Sequence, residues 1–483
     1  MKNIILATLL ATVLTACGGS SAVTTPVITT PLVTTPVFDI ETVQYKTLAN
    51  IDLASASGYT GTDTIWYNIL TVGDLNGDGY DDIVVGLFRH NATMDDPSGI
   101  KPVVLFYNPA TATYAIDSNF QNNVPPAYHP RQAAILDVNG DSINDLYITN
   151  TGYDPAPYGW PNQLILGTST SYTDGSYLLP KYNDYSHGLI VADLNGDGKK
   201  DLMVMNIEVN TSSVCIDIPV ITECQQGYNA YSKSYVLFQN ATNTLTPSTV
   251  NFANPVDINL TQPSPQGEYA KLTVGASADF NKDGIPDLVY ADQQYIYIAE
   301  STGWSNYKSA IKFSPPASFV NSCTNGIVPN IVPYSAIATT DIDGDGIPEI
   351  FASYTCNWYS GQAFQVLHKS STTGAWTDIT ATVFPDQSAN ATPNNWCYKF
   401  IITDITGDGQ PDLICQTLAG NLMGNNNTYW IQNKGVFTYK NLNLQSQKTA
   451  FNTVVNLKGT RMLLGFNQPS ATFLKVMGWQ LPN

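Results

Sequence analysis

Positive charge is scarce in this chain. Its 483 residues carry 21 Lys and Arg against 39 Asp and Glu, a formal net charge of −18, so it has no basic footprint for nucleic acid. Charged residues of both signs make up only 12%. After the first 16 residues no window repeats apolar side chains at helical spacing, and no later segment is apolar enough to span a bilayer. G-x-S-x-G, H-E-x-x-H and phosphate-loop motifs are all missing, as is any isolated carboxylate pair outside the acidic repeats described below. Tyr, Thr, Asn, Gly and Pro are abundant instead, which favours strands and turns.

The one long apolar run comes first. Residues 1–16 place Lys2 ahead of a short apolar stretch that ends in small residues, the pattern of a cleaved export signal. Leu14-Thr15-Ala16-Cys17 resembles a bacterial lipobox. That resemblance implies that Cys17 is lipidated as the first mature residue, and Gly18 behind it favours the outer membrane, facing either the periplasm or the outside. Each buried methylene of an acyl chain contributes roughly 0.8 kcal/mol, so several chains anchor durably. An ordinary signal peptide with an incidental cysteine is the alternative. Residues 17–37 contain three Thr-Thr-Pro units and read as an extended tether. Export implies an oxidising compartment. Cys215 and Cys224 lie close together in an insertion and are expected to pair, whereas Cys323, Cys356, Cys397 and Cys415 have no assigned partners.

Against this background one hexapeptide is over-represented. DLNGDG stands at 74–79 and again at 193–198, with variants beginning at Asp137, Asp279, Asp341 and Asp404. Oxygen-bearing side chains recur at positions 1, 3, 5 and 9. They are Asp74, Asn76, Asp78, Asp82; Asp137, Asn139, Asp141, Asp145; Asp193, Asn195, Asp197, Asp201; Asp279, Asn281, Asp283, Asp287; Asp341, Asp343, Asp345, Glu349; and Asp404, Thr406, Asp408, Asp412. A backbone carbonyl at position 7 (Tyr80, Ile143, Lys199, Ile285, Ile347, Gln410) would complete a hard-oxygen set suited to Ca²⁺. Position 6 is Gly, or Ser142 in the second copy, where a sharp turn is needed.

An EF-hand begins in the same way but needs a carboxylate at position 12. Here that position holds Val85, Ile148, Val204, Tyr290, Ala352 and Cys415, inside apolar runs that read as buried strands. Twenty of the 39 acidic residues fall within the six nine-residue windows, and six Ca²⁺ ions would bring the formal charge from −18 to −6. The repeats are 56–86 residues apart, the length of one four-stranded propeller blade. A seventh copy without acidic residues follows at 451–479, and it is one strand short. The segment 43–51 resembles the fourth strand of the sixth copy, 436–444, and is expected to complete the seventh blade and close the ring.

Residues 38–483 thus resemble FG-GAP/VCBS-repeat proteins, whose seven-bladed all-β propeller also occurs in integrin α-subunits. The resemblance implies up to six Ca²⁺ ions, in loops joining the first and second strands of six blades. It also implies that segments entering the first strand and leaving the second lie on the opposite face. Trp66, His129, Arg131, Tyr185, His187, Trp396 and Tyr398 then fall on that face, with Arg89 and His90 leaving the second strand of the first blade. These residues would bind a glycan or a protein at the cell envelope by ring stacking and hydrogen bonding. Binding is favoured over catalysis. The enzymatic alternative is a polysaccharide lyase using His129, His187, Tyr185 and Arg131, and a structural role in envelope assembly is a third reading.

Overall fold

Each acidic repeat folds as one antiparallel four-stranded sheet. The computed structural model describes residues 45–482 apart from 62–64, 90–98, 153–159, 169–170, 181–184, 207–233, 240–244, 249–250, 253–273, 293–294, 316–333, 356–362, 386–396, 417–426, 443–448 and 468–471. The export signal, Cys17, the tether, Cys215, Cys224, His90 and Trp396 lie outside the described residues.

Blade one is built from Ile65–Gly73, Asp82–Arg89, Val103–Asn108 and Thr113–Ile116 in sequential order. Blades two to six begin with Pro130–Leu136, Ser186–Ala192, Val274–Ala278, Tyr334–Thr340 and Lys399–Thr403. In blade seven Thr449–Leu457, Thr460–Asn467 and Phe473–Gln480 are joined by Lys46–Asp52 as the outermost strand. That strand pairs antiparallel with the third, from Lys46↔Gly478 to Asp52↔Phe473.

The core is divided among the gaps between blades. Leu70, Leu75, Val84 and Val104 of blade one pack on Leu146, Ile148 and Ile165 of blade two. Six further apolar clusters of this kind fill the remaining gaps, including Ile65, Tyr67 and Leu87 of blade one against Leu464, Phe466 and Val476 of blade seven. Second strands are covered on both faces, which is why they read as continuous apolar runs. Asp145–Asn150, Asp201–Asn206 and Glu349–Tyr354 are buried along their whole length.

First strands line the axis, and several carry a bulge near their start. The register slips between Pro130 and Ala133, Ser186 and Gly188, and Tyr334 and Ala336. A bulge re-aims the extra side chain, and those extra residues include Arg131 and His187. Among the described residues helices are confined to short connections such as Leu53–Ser57, capped by the Asp52 carboxylate and ended by left-handed Gly58.

Candidate metal loops and the opposite face

The six acidic loops share one hydrogen-bond pattern. Oδ2 of the first Asp accepts the position 6 N–H at 2.8–2.9 Å in every copy. Oδ1 of the position 5 Asp accepts the position 7 N–H at 2.8–2.9 Å. Position 6 is left-handed throughout, φ running from 79° to 85° at the glycines and 66° at Ser142. The serine therefore makes the same turn as glycine in a region that L-residues enter at a penalty.

Position 9 is the buried anchor. Asp82, Asp145, Asp201, Asp287, Glu349 and Asp412 are all fully buried. One oxygen of each accepts the position 2 N–H, at 2.7–3.0 Å. In five blades the other oxygen accepts an N–H from the third strand, given by Tyr107, Gly167, Gln239 and Gln432, or from just beyond it, given by Ser301. These partners carry no net charge. Burial accordingly pushes Asp82 up to about 7, and Asp145, Asp201, Asp287 and Asp412 up to about 6.

The donor chemistry fits a hard divalent cation. Apart from one imidazole beside the fifth loop, the side-chain donors at positions 1, 3, 5 and 9 are carboxylates, amide carbonyls or a hydroxyl. In the fifth loop carboxylate oxygens of Asp341, Asp343 and Asp345 lie within 4.8 Å of one another. Three negative charges at that spacing repel unless a cation sits among them. A Ca²⁺ ion there would be held by positions 1, 3, 5 and 9 and would supply the missing positive charge.

Neighbouring blades reach into these loops. Asn144 of blade two donates to the Asp74 carbonyl at 2.6 Å, and Gln239 of blade three donates to the carbonyls of Asp137 and Val138 at 2.7 and 2.9 Å. Ser305 of blade four donates to the Leu194 carbonyl, and Arg461 of blade seven to the Asp404 carbonyl. Lys282 in the fourth loop donates to the Asp345 carbonyl of the fifth. Blade seven has a tight turn instead of an acidic loop, with Lys458 and Gly459 both left-handed. The Lys458 ammonium stands 4.4 Å from the Tyr80 ring centroid beside the first loop.

On the opposite face the structure joins Trp66 and His129 through Phe88, a ring that the sequence did not single out. Trp66 packs on Phe88, their centroids 5.9 Å apart, and Phe88 stacks on His129 at 4.3 Å. Next along the chain from His129, Tyr128 stacks on Trp160 at 3.8 Å. His129 is left-handed, φ 56°, with its carbonyl held by the N–H and hydroxyl of Thr151. Outliers of this kind concentrate at functional sites. Tyr185 and His187 form a separate ring pair at 4.9 Å. Trp66, Arg89, His129, His187 and Tyr398 are half-buried, whereas Arg131 and Tyr185 are buried.

Nearer the axis, the Tyr398 hydroxyl of blade six meets Asn68 Nδ2 of blade one at 3.0 Å and the Arg131 carbonyl of blade two at 3.2 Å. These three blades are thereby linked at one point, although blade seven stands between six and one. Behind Tyr398, Cys397 is joined by a disulfide to Cys415 on the second strand of blade six. The crosslink encloses the whole sixth acidic loop. Its partners lie on opposite sides of that loop in sequence, and only the strand register brings them together.

No curated protein matched the chain. Among solved structures it is similar to an Agrocybe aegerita lectin described as recognising non-reducing terminal N-acetylglucosamine, at 13% identity and TM-score 0.44, covering 79% of this chain and 80% of that one. It is also similar to Trypanosoma rangeli sialidase, at 11% identity and TM-score 0.38, covering 86% of this chain but only 55% of the sialidase. A rhamnogalacturonan lyase matches at 13% identity and TM-score 0.31, with 86% and 85% covered. The model of the FG-GAP-like repeat matches residues 103–204, 279–352 and 341–415, and that of the FG-GAP repeat matches 66–86. Together these matches span more than half of the chain, and the protein belongs to the FG-GAP repeat family.

Proposed function

We propose that this protein is a Ca²⁺-stabilised, lipid-anchored binding propeller that recognises a glycan or a protein at the bacterial envelope. The observation that carries the reading is the Trp66–Phe88–His129 ring run, with His129 held left-handed and flanked by the Tyr128–Trp160 stack. Flat rings at the blade ends away from the acidic loops suit the faces of sugar rings or peptide side chains. Their support from strand ends keeps the surface preformed.

The test is capture by glycan and matrix-protein arrays in the presence of Ca²⁺. Trp66→Ala should weaken capture of any ligand found by about 3–10-fold, the equivalent of one lost ring contact. Unchanged capture by both Trp66→Ala and His129→Ala would remove this face from the reading.

The Tyr185–His187 pair supports a second reading, a lyase in which one ring abstracts a proton from a uronate and the other donates one to the leaving oxygen. Release of unsaturated uronate, followed by ultraviolet absorbance and abolished by His187→Ala, would favour it. For the anchor, Cys17→Ser should move the protein from the detergent-requiring fraction to the soluble one. Retention of the Ser variant in membranes would defeat the lipoprotein reading.

A further inference from the structure

Blade five departs from the other five acidic blades in three places at once. Its position 9 residue is Glu349, its position 3 residue is the carboxylate Asp343, and its third strand carries His368. By register, the N–H that would meet position 9 belongs to Lys369, since Ile350 pairs with Leu367 as Leu202 pairs with Leu237 in blade three. The extra methylene of Glu349 takes its carboxylate elsewhere. Oε1 lies 2.8 Å from His368 Nδ1, while Oε2 keeps the usual bond from the position 2 N–H of Ile342. His368 Nδ1 is also 3.7 Å from Asp343 Oδ2. The Lys369 side chain, one residue on and directed to the other face of the strand, pairs with Glu300 at 2.6 Å.

From this geometry we infer that Asp343, Glu349 and His368 form a mixed imidazole–carboxylate site for a first-row divalent metal such as Mn²⁺ or Zn²⁺. Donor atoms of all three lie within 4.8 Å of one another. Ligands at about 2.0–2.2 Å from one ion stand about 3 Å apart at right angles and about 3.6 Å apart at wider angles, close to the two distances observed. The imidazole comes from a different strand from the loop, so the set is more than an acidic cluster. In the tautomer protonated on Nε2, Nδ1 presents its lone pair to the ion. One nitrogen and two carboxylates favour transition metals over Ca²⁺, which takes oxygen donors. Asp343 also belongs to the Asp341–Asp345 group, so an ion at His368 draws on the fifth loop itself. The inference does not depend on Ca²⁺ in the other five loops.

The test uses the full chain in detergent, without a polyhistidine tag, loaded with Mn²⁺ in millimolar Ca²⁺ and again without Ca²⁺. One Mn²⁺ should remain bound against Ca²⁺ and show ¹⁴N hyperfine coupling from one imidazole. His368→Ala should abolish that coupling and weaken Mn²⁺ binding by at least about tenfold. Asp343→Asn should weaken it likewise, and this variant is safe for folding because four of the other loops carry Asn at position 3. Bound Mn²⁺ without nitrogen coupling in the unaltered protein, or no Mn²⁺ retained in Ca²⁺, would overturn the site. The coupling in the Ca²⁺-free sample is independent of whether Ca²⁺ raises the melting temperature, so this inference and the Ca²⁺ reading fail separately.

Discussion

Removing divalent metal with EDTA should lower the melting temperature of this protein by about 9 °C, reversibly, and Ca²⁺ should restore it better than Mg²⁺. An ion that binds only the folded chain contributes about 1.4 kcal/mol at tenfold excess over its dissociation constant. Six sites together contribute about 8 kcal/mol. For a unit of 446 residues, Phe38–Asn483, about 1 kcal/mol corresponds to about 1 °C. The preference for Ca²⁺ follows from donor sets that turn with the chain, where Mg²⁺ demands strict octahedral geometry and keeps its waters. Calorimetry before and after verified metal removal is the measurement. An unchanged melt would eliminate the stabilising role of the ion.

The position 9 carboxylates should behave differently from the rest of each loop. Asp201→Ala should destabilise by about 3–5 kcal/mol with or without Ca²⁺. Its removal strands two buried N–H groups, those of Leu194 at 2.8 Å and Gln239 at 3.0 Å, at about 1–3 kcal/mol each, and opens a small cavity. Asp197→Ala, at exposed position 5, should lose only the exposed bond from the Lys199 N–H without Ca²⁺, and with Ca²⁺ present should lower stability further by about the 1.4 kcal/mol of one site at tenfold excess. Urea titrations of both variants in Ca²⁺ and in EDTA give four numbers. No loss of stability by Asp201→Ala in EDTA would show that position 9 is a ligand and nothing more.

The fold was legible because it is written six times. The Asp-x-Asn-x-Asp-Gly spacing, the apolar run after position 9 and the repeat length each point to a strand–loop–strand unit in a propeller blade. What stayed hidden depends on register between segments distant in sequence. The N–H from Tyr107 or Gln239 to position 9 is set by the pairing of second and third strands, which spacing alone does not give. The Cys397–Cys415 crosslink, the Phe88 ring between Trp66 and His129, and the meeting of Tyr398 with Asn68 are of the same kind. His368 left a fainter trace. Glu occurs at position 9 only in the fifth loop, where the side chain must reach one bond further, and a polar partner for it on the third strand could have been sought.

The placement of Lys46–Asp52 has a mechanical meaning. The chain enters the propeller as the outermost strand of blade seven, so tension applied at the N-terminus arrives first at that strand. Six residue pairs, interrupted by a bulge at Leu48, hold it to Phe473–Gln480, and the buried side chains of Leu48 and of Leu53 just after it lock it in the adjoining core. A pull along the strand loads these bonds side by side in shear, whereas a pull across it would peel them one at a time. The same strand is the clasp of the hoop. A load large enough to slide it out would unfasten blade seven and expose the Tyr67 and Phe466 rings that now face each other across the gap between blades one and seven.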